Sequence, residues 1–254
     1  MSQEELDKNA EVISGMFDSI AGKYDAMNHG MSLGIDRLWR RRFVRALERT
    51  KAGTAGLGPG ADTPAGPAAV LDLACGTGDL TRALARKGYA VTGLDISAEM
   101  MEVGKRKCSG LTPQPQFILG SAEQIPFPDA SFDAVTIAFG LRNFDHRPQC
   151  LAEIRRVLKP GGQLAVLEFA VPRNRLWRAV YLFYFKNAMR LMGKAVGSAG
   201  AYGYLVDSVL AFPRYEALCA EFEAAGFTEV SYKPYTGGIA CRYQAKASDR
   251  GASL

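Results

Sequence analysis

The run Ala69–Asp79, AVLDLACGTGD, constrains this chain more than any other segment. Its apolar half reads as a buried strand, and the glycines that follow read as a turn opening a helix. Glycines at such a turn let a ligand approach the backbone and the helix N-terminus closely. Nineteen residues past Gly76 a second apolar run, AVTGLDIS, ends on an acid and places Asp95 at a strand's carboxyl end. A carboxylate there can hold both ribose hydroxyls of an adenosine. The unit predicts a nucleoside-cofactor site on a parallel sheet.

The remaining pattern agrees. Apolar runs at Ala69–Cys75, Ala90–Ile96, Gln116–Gly120, Phe132–Leu141 and Gly162–Ala170 predict five strands. Helical segments near Gly78–Lys87, Ala98–Cys108 and Arg147–Leu158 alternate with them, as a parallel sheet requires. The third connection is a short proline-rich stretch, IPFPDAS. After a long helical region and the helix in PRYEALCAEFEAAGF, strands Thr228–Lys233 and Ile239–Ala247 meet at the turn Thr236–Gly238. The expected organisation is a helical cap (1–50), a Gly/Ala/Pro-rich linker (51–68), a sheet domain (69–247) carrying a helical lid (173–211), and a tail (248–254).

A dinucleotide fingerprint would place a third glycine where Thr81 stands. Acid at Asp72, beside the glycine loop, suits a cationic ligand and would repel a pyrophosphate. S-adenosylmethionine (SAM) carries an ammonium and a sulfonium and no phosphate. The segment DLACGTGDL closely resembles the first motif of class I SAM-dependent methyltransferases. That resemblance implies a Rossmann-like seven-stranded mixed sheet with helices on both faces, closed by the final hairpin. It implies a SAM site made of Asp72, Gly76, Thr77, Gly78, Asp95, Ile96, Ser121, Ala122 and Ala138. The adenine belongs after the third strand, where Ser121 offers a weaker contact than the acid common in that class.

Composition narrows the class further. The chain has 254 residues, 48% hydrophobic and 22% charged, ordinary for a globular protein with a sizeable core. No apolar run predicts a membrane span, and MSQEELDKNAEV is too acidic and polar for a signal peptide, so a cytoplasmic protein is expected. The five cysteines, Cys75, Cys108, Cys150, Cys219 and Cys241, form no C-x-x-C pair. Neither a metal site nor a disulfide framework is expected.

Five strings in order, MFDSIAGKYDAMNHGMSLGIDRLWRR, VLDLACGTGDLT, AFGLRNF, RVLKPGG and LEFAVP, resemble the ubiquinone/menaquinone biosynthesis C-methyltransferases from Val12 to Gln244. KYDAMN…MSLGIDRLW and FGLRN discriminate best; RVLKPGG is shared by many class I enzymes. The linker 51–68 is longer than usual in that family, and His29 falls where its pattern is loose, so His29 inherits no catalytic role. The resemblance implies methylation of a ring carbon of a polyprenylated quinol, foremost demethylmenaquinol to menaquinol. The alternative is a dual enzyme that also takes a 2-methoxy-6-polyprenyl-benzoquinol.

A quinol carbon becomes nucleophilic when the neighbouring phenol ionises, which costs about 4 kcal/mol at pH 7. Arg142 is the candidate cation, Asn143 a second donor, and Tyr24 a hydrogen-bonding group carried by the cap. A water held by these three is the expected proton acceptor. Each has a plainer reading: Arg142 paired with Asp145, Asn143 as a helix cap, Tyr24 as core. Glu168 is either a pocket carboxylate or a partner of a basic residue, and His146 reads as solvated.

Between Glu168 and Asp207 there is no acid, yet Arg173, Arg175, Arg178, Lys186, Arg190 and Lys194 occur there among Trp177, Tyr181, Phe183, Tyr184 and Phe185. A helical wheel puts the cations after Arg175 on one broad face and Trp177, Tyr181 and Tyr184 on another. A helix over 173–196 therefore predicts contact with anionic lipid, a lid with its aromatics packed on protein, or both. A homodimer or a quinone-synthesis complex is a further expected association. The net charge of +5 and the cluster DRLWRRRFVR keep an RNA methyltransferase in view. The missing Asn/Asp-Pro-Pro-aromatic motif and separate RNA-binding domain argue for no nucleic-acid partner. A non-catalytic SAM-binding scaffold is disfavoured by Asp72, Asp95 and Arg142.

Overall fold

The computed structural model describes residues 9–47, 67–196 and 199–248. Residues 1–8 and 48–50 of the predicted cap, 51–66 of the predicted linker, 197–198 of the predicted lid and 249–254 of the predicted tail lie outside the described residues. The cap comprises α1 (Ala10–Met31) and α2 (Ile35–Ala46). The sheet domain runs β1 (Ala69–Leu73), α3 (Asp79–Ala85), β2 (Ala90–Asp95), α4 (Ala98–Cys108), β3 (Gln116–Leu119), β4 (Phe132–Ala138), α5 (Arg147–Val157) and β5 (Leu158–Phe169). The lid helices α6 (Arg175–Val196) and α7 (Ala199–Ala211) precede α8 (Glu216–Ala224), β6 (Phe227–Tyr235) and β7 (Ala240–Ala247).

The strands form one sheet in the order β3-β2-β1-β4-β5-β7-β6. The first five are parallel and β7 is antiparallel to both its neighbours. This is the seven-stranded mixed sheet that the class I resemblance implies. The order reverses between β1 and β4, and ligands on open α/β sheets bind outside the carboxyl ends at such a switch point. One core face gathers Leu71, Leu73, Val135, Ile137, Leu164 and Val166 under α5 and α8. The other gathers Val70, Val91, Ala134 and Leu167 under α2 and α3. The strands of the parallel centre are buried on both faces, hence their unbroken apolar sequences.

Three boundaries differ from the sequence expectation. β4 stops at Ala138, because Phe139 takes a left-handed φ of 61° and Leu141–Asn143 winds into one 3-10 turn. β5 begins at Leu158 rather than Gly162, since Leu158 already pairs with Phe132 before the Pro160–Gly161–Gly162 irregularity. The lid is two helices, the first starting at Arg175.

Candidate active site

At the switch point the backbone turns tightly. Gly76 and Gly78 both have positive φ, 52° and 74°. A Cβ on Gly78 would lie 3.1 Å from Gly104 Cα and 3.3 Å from the Phe117 ring, so only glycine lets α4 and β3 pack this close. A Cβ on Gly140 would reach to 2.6 Å from Ala74 Cβ, which draws the turn after β4 against the turn after β1. The two turns together wall one cavity.

The cavity joins several of the predicted residues. Gly76, Asp95, Ile96, Ser121, Ala122 and Ala138 line it, together with Tyr24 and Asn143. Asp95 accepts from the Gly76 amide at 2.7 Å through Oδ2 and from the Ser97 amide at 2.9 Å through Oδ1. Each carboxylate oxygen keeps a further acceptor site, the capacity a ribose diol needs. Burial pushes the Asp95 carboxyl up from the usual range, against the pull of those amides. Among the described residues the charged lining groups are Asp95, Glu123 and Asp145, with no lysine or arginine. That donor set fits a cationic, phosphate-free cofactor such as SAM and would repel a pyrophosphate.

Other predicted residues stand away from the cavity lining. Asp72 is 1% exposed. Its carboxylate accepts from Thr81 Oγ1 at 2.5 Å and Thr136 Oγ1 at 3.1 Å, so it ties β1 to α3 and β4. Burial raises its carboxyl to about 7. Thr77 donates to Asp25 Oδ1 at 2.5 Å, fastening the turn to the cap. Gly78 shapes the turn without lining the cavity.

Arg142 also lies behind the wall, and its partner is Glu168 rather than Asp145. The guanidinium is 3.3 Å from Glu168 Oε2, donates to the Phe139 carbonyl, and sits 5.6 Å over the Phe169 ring. Glu168 therefore resolves as the partner of a basic residue. Asn143 caps no helix, since α5 is entered through His146 and Pro148. Tyr24 meets Phe17 edge-on at 5.9 Å while it faces the cavity. Burial raises the Tyr24 phenol and the Arg142 charge draws it back, so it remains a donor at neutral pH. His146 is exposed, as expected.

The cap carries contributions that the sequence did not announce. Ile13 and Phe17 line the cavity. Ser14 donates to the Ile96 carbonyl at 3.1 Å, and Ser97 donates to Asp18 at 2.5 Å. Lys107 reaches Asp25 at 2.7 Å and also pairs with Asp79. His29 pairs with Asp36 at 2.8 Å and Arg40 approaches Asp79 at 3.6 Å. Apart from His29–Asp36, seven residues apart, these polar pairs join positions too distant in sequence for any local pattern to connect. Phe139 is the other unforeseen wall, its ring 4.5 Å from that of Phe169 and tilted 32° to it.

The helix predicted to contact lipid divides its aromatics differently from the wheel. Tyr181 and Phe185, each 5% exposed, pack with Ile20, Met27 and Val209. Trp177 and Tyr184 stay exposed beside Leu176, Val180 and Phe183. Arg173 is engaged by Glu216. Among the described residues no helix is long and apolar enough to cross a membrane.

The model of the ubiE/COQ5 methyltransferase family matches residues 4–246. A ubiquinone/menaquinone biosynthesis C-methyltransferase of Geobacter sulfurreducens is 40% identical over 94% of this chain and 89% of its own length. A demethylmenaquinone methyltransferase of Mycobacterium sp. (strain JLS) is 40% identical over 96% of this chain and 98% of its own. Among solved structures, a SAM-dependent methyltransferase from Thermotoga maritima superposes with a TM-score of 0.63 at 17% identity, over 92% of this chain and 99% of that one. That last likeness speaks to the fold.

Proposed function

The chain belongs to the ubiE/COQ5 methyltransferase family, and on that basis we propose that it methylates a ring carbon of a polyprenylated quinol, foremost demethylmenaquinol to menaquinol. It is a SAM-dependent C-methyltransferase; the choice of quinol is the proposal. The observation that carries it is a single cavity in which Gly76, Asp95 and Ala122 meet Tyr24 and Asn143 between Phe17 and Phe139. The cofactor supplies an electrophilic methyl on a sulfonium when bound. Asp95 and the Gly76 turn hold its ribose, and the backbone around Ser121 and Ala122 frames its adenine.

The chain's own task is to make the quinol carbon nucleophilic. Tyr24 and Asn143 hydrogen-bond the ring oxygens and favour the ionised phenol, offsetting its cost of about 4 kcal/mol. Arg142 shares its charge with Glu168, so it contributes orientation and a local dipole from behind Phe169 rather than an open cation. A water held by Asn143 and Tyr24 takes the phenolic proton and relays it outward. After carbon–carbon bond formation the ring proton leaves by the same relay and the ring oxygen is reprotonated, so one proton is released per methyl transferred. Apolar walls keep other water out and strengthen each of these interactions.

The prenyl tail belongs to a bilayer, and the outer face of α6 is the part of the lid suited to meet one. Leu176, Val180 and Phe183 are exposed along it, flanked by Trp177 and Tyr184 on one side and Arg175 and Lys186 on the other. Apolar residues bordered by cations and amphipathic aromatics fit an anionic interface. We therefore propose a peripheral association of this face with the cytoplasmic leaflet.

The relatives quoted carry both ubiquinone/menaquinone and demethylmenaquinone names at the same 40% identity, which favours assaying a benzoquinol as a second substrate. The deciding experiment is methyl transfer from labelled SAM, in detergent micelles, to reduced demethylmenaquinol and to the reduced 2-methoxy-benzoquinol. Transfer to the naphthoquinol alone makes it a menaquinone enzyme, and transfer to both makes it dual. Transfer to neither, with SAM bound, overturns the quinol reading.

A further inference from the structure

Asn143 is held from the lid. The Tyr204 hydroxyl, on α7, donates to Asn143 Oδ1 at 3.2 Å. An amide offers two chemically opposite ends, an acceptor oxygen and a donor NH₂. With Oδ1 engaged by a donor, Asn143 is left to present Nδ2 as its remaining polar end, and Asn143 lines the cavity. The opposite rotamer would have Nδ2 donate to the Tyr204 oxygen, a weaker acceptor than the amide carbonyl is for the hydroxyl, and would turn an acceptor toward the ring oxygen, the wrong sign for stabilising a phenolate. Tyr204 lies within the field of both Arg142 and Glu168, so its hydroxyl belongs to the polar layer directly behind the cavity. The helix that carries it is seated by Val209, 1% exposed, which packs with Tyr181 and Phe185 of α6.

We propose that Tyr204 is a positioning residue that fixes the Asn143 amide with its NH₂ toward the substrate oxygen, so that seating of the lid completes the active site. This rests on the quinol reading above. The 3.2 Å separation exceeds the usual 2.5–3.0 Å of an O–H···O bond. Catalytic hydrogen bonds commonly tighten only in the complex.

The test is Tyr204→Phe, which removes the hydroxyl and keeps the ring, measured alone and in an Asn143→Ala background. With demethylmenaquinol, kcat is expected to fall roughly ten-fold or more, with the quinol KM and the SAM affinity within two-fold. In the Asn143→Ala background the same substitution should change kcat by less than two-fold, because the group it orients is gone. An equal loss in both backgrounds, or none in either, overturns the proposal. The Asn143 side-chain amide resonances, read by NMR on the SAM-loaded protein, give a second readout independent of turnover. Tyr204→Phe is expected to shift them, and unchanged resonances overturn the proposal. If the wild-type protein methylates neither quinol, the functional reading fails by itself, and the resonances alone decide whether Tyr204 holds Asn143.

Discussion

Arg142 and Glu168 face one another at 3.3 Å with 5% and 0% of their side chains exposed, a buried ion pair directly behind the active cavity. Glu168 also accepts from the Arg142 amide at 3.2 Å and the Phe169 amide at 3.0 Å. The pair therefore locks the turn after β4 to the end of β5. Removing one member of such a pair strands a charge, whereas replacing both with apolar groups is often neutral.

Glu168→Ala is expected to destabilise the fold by about 3–5 kcal/mol in urea unfolding. The double variant R142M/E168M should unfold near the wild-type midpoint and bind SAM within a few fold by calorimetry, yet lose quinol turnover. An equal loss of SAM binding in the double variant would make the pair part of cofactor binding instead.

Asp95→Ala should weaken SAM by about 10–100-fold, the range for one or two hydrogen bonds to a charged acceptor. Two backbone donors, the amides of Gly76 and Ser97, lose their partner at the same time. Asp95→Asn keeps an acceptor and should fall between. Calorimetry that found wild-type affinity in Asp95→Ala would remove this residue from the cofactor site.

The Asp72 carboxyl makes a pH prediction. Burial raises it to about 7 from its ordinary 3.8. Below about pH 4 folded and unfolded chains both hold the proton, and the carboxyl contributes no penalty. As pH rises from 4 to 7 the unfolded chain releases it first, so stability declines, by at most on the order of 4 kcal/mol once above 7. Asp72→Asn can still accept from Thr81 and has nothing to titrate. Its denaturation midpoint should therefore drop less than the wild type's between pH 5 and pH 8; equal drops would refute the assignment.

For the lid, flotation with vesicles containing anionic phosphatidylglycerol is the measurement. Leu176→Ser with Phe183→Ser should reduce bound protein several-fold while micellar activity stays near wild type. High salt should weaken binding further by screening the cations. Binding unchanged by both would place the membrane contact, if any, elsewhere.

What was legible in the chain was local. The strands, the glycine turn and Asp95 follow from apolar runs and spacing. The strands come in the expected order, Asp95 ends β2 and lines the cavity, and β4 and β5 depart most from the bounds of their apolar runs. Asp72 was read as a ligand group because acid stood near a glycine loop; the pleat of β1 turns its side chain onto Thr81 and Thr136, away from the cavity lining. Glu168 had two readings until β4 and β5 were seen to align, pairing Ala138 with Leu167 beside it. The wheel of α6 grouped Tyr181 with Trp177 and Tyr184, but Tyr181 turns in against Ile20 and the others do not. Tyr204 carried no signal at all, being one more aromatic in an apolar helix.

The fastening of the cap has a consequence for assembly. Trp39 donates through its ring nitrogen to Thr236 Oγ1 at 2.8 Å, and the Gln244 amide donates to the Ala46 carbonyl at 3.1 Å. The partners that fasten α2 at Trp39 and Ala46 thus lie 197 and 198 residues downstream. During synthesis α1 can dock as soon as β2 and α4 have emerged, through Ser14 on Ile96, Asp18 on Ser97 and Asp25 on Lys107. The fastenings of α2 close only once the final hairpin exists, so the roof over the cofactor turn is completed in two stages.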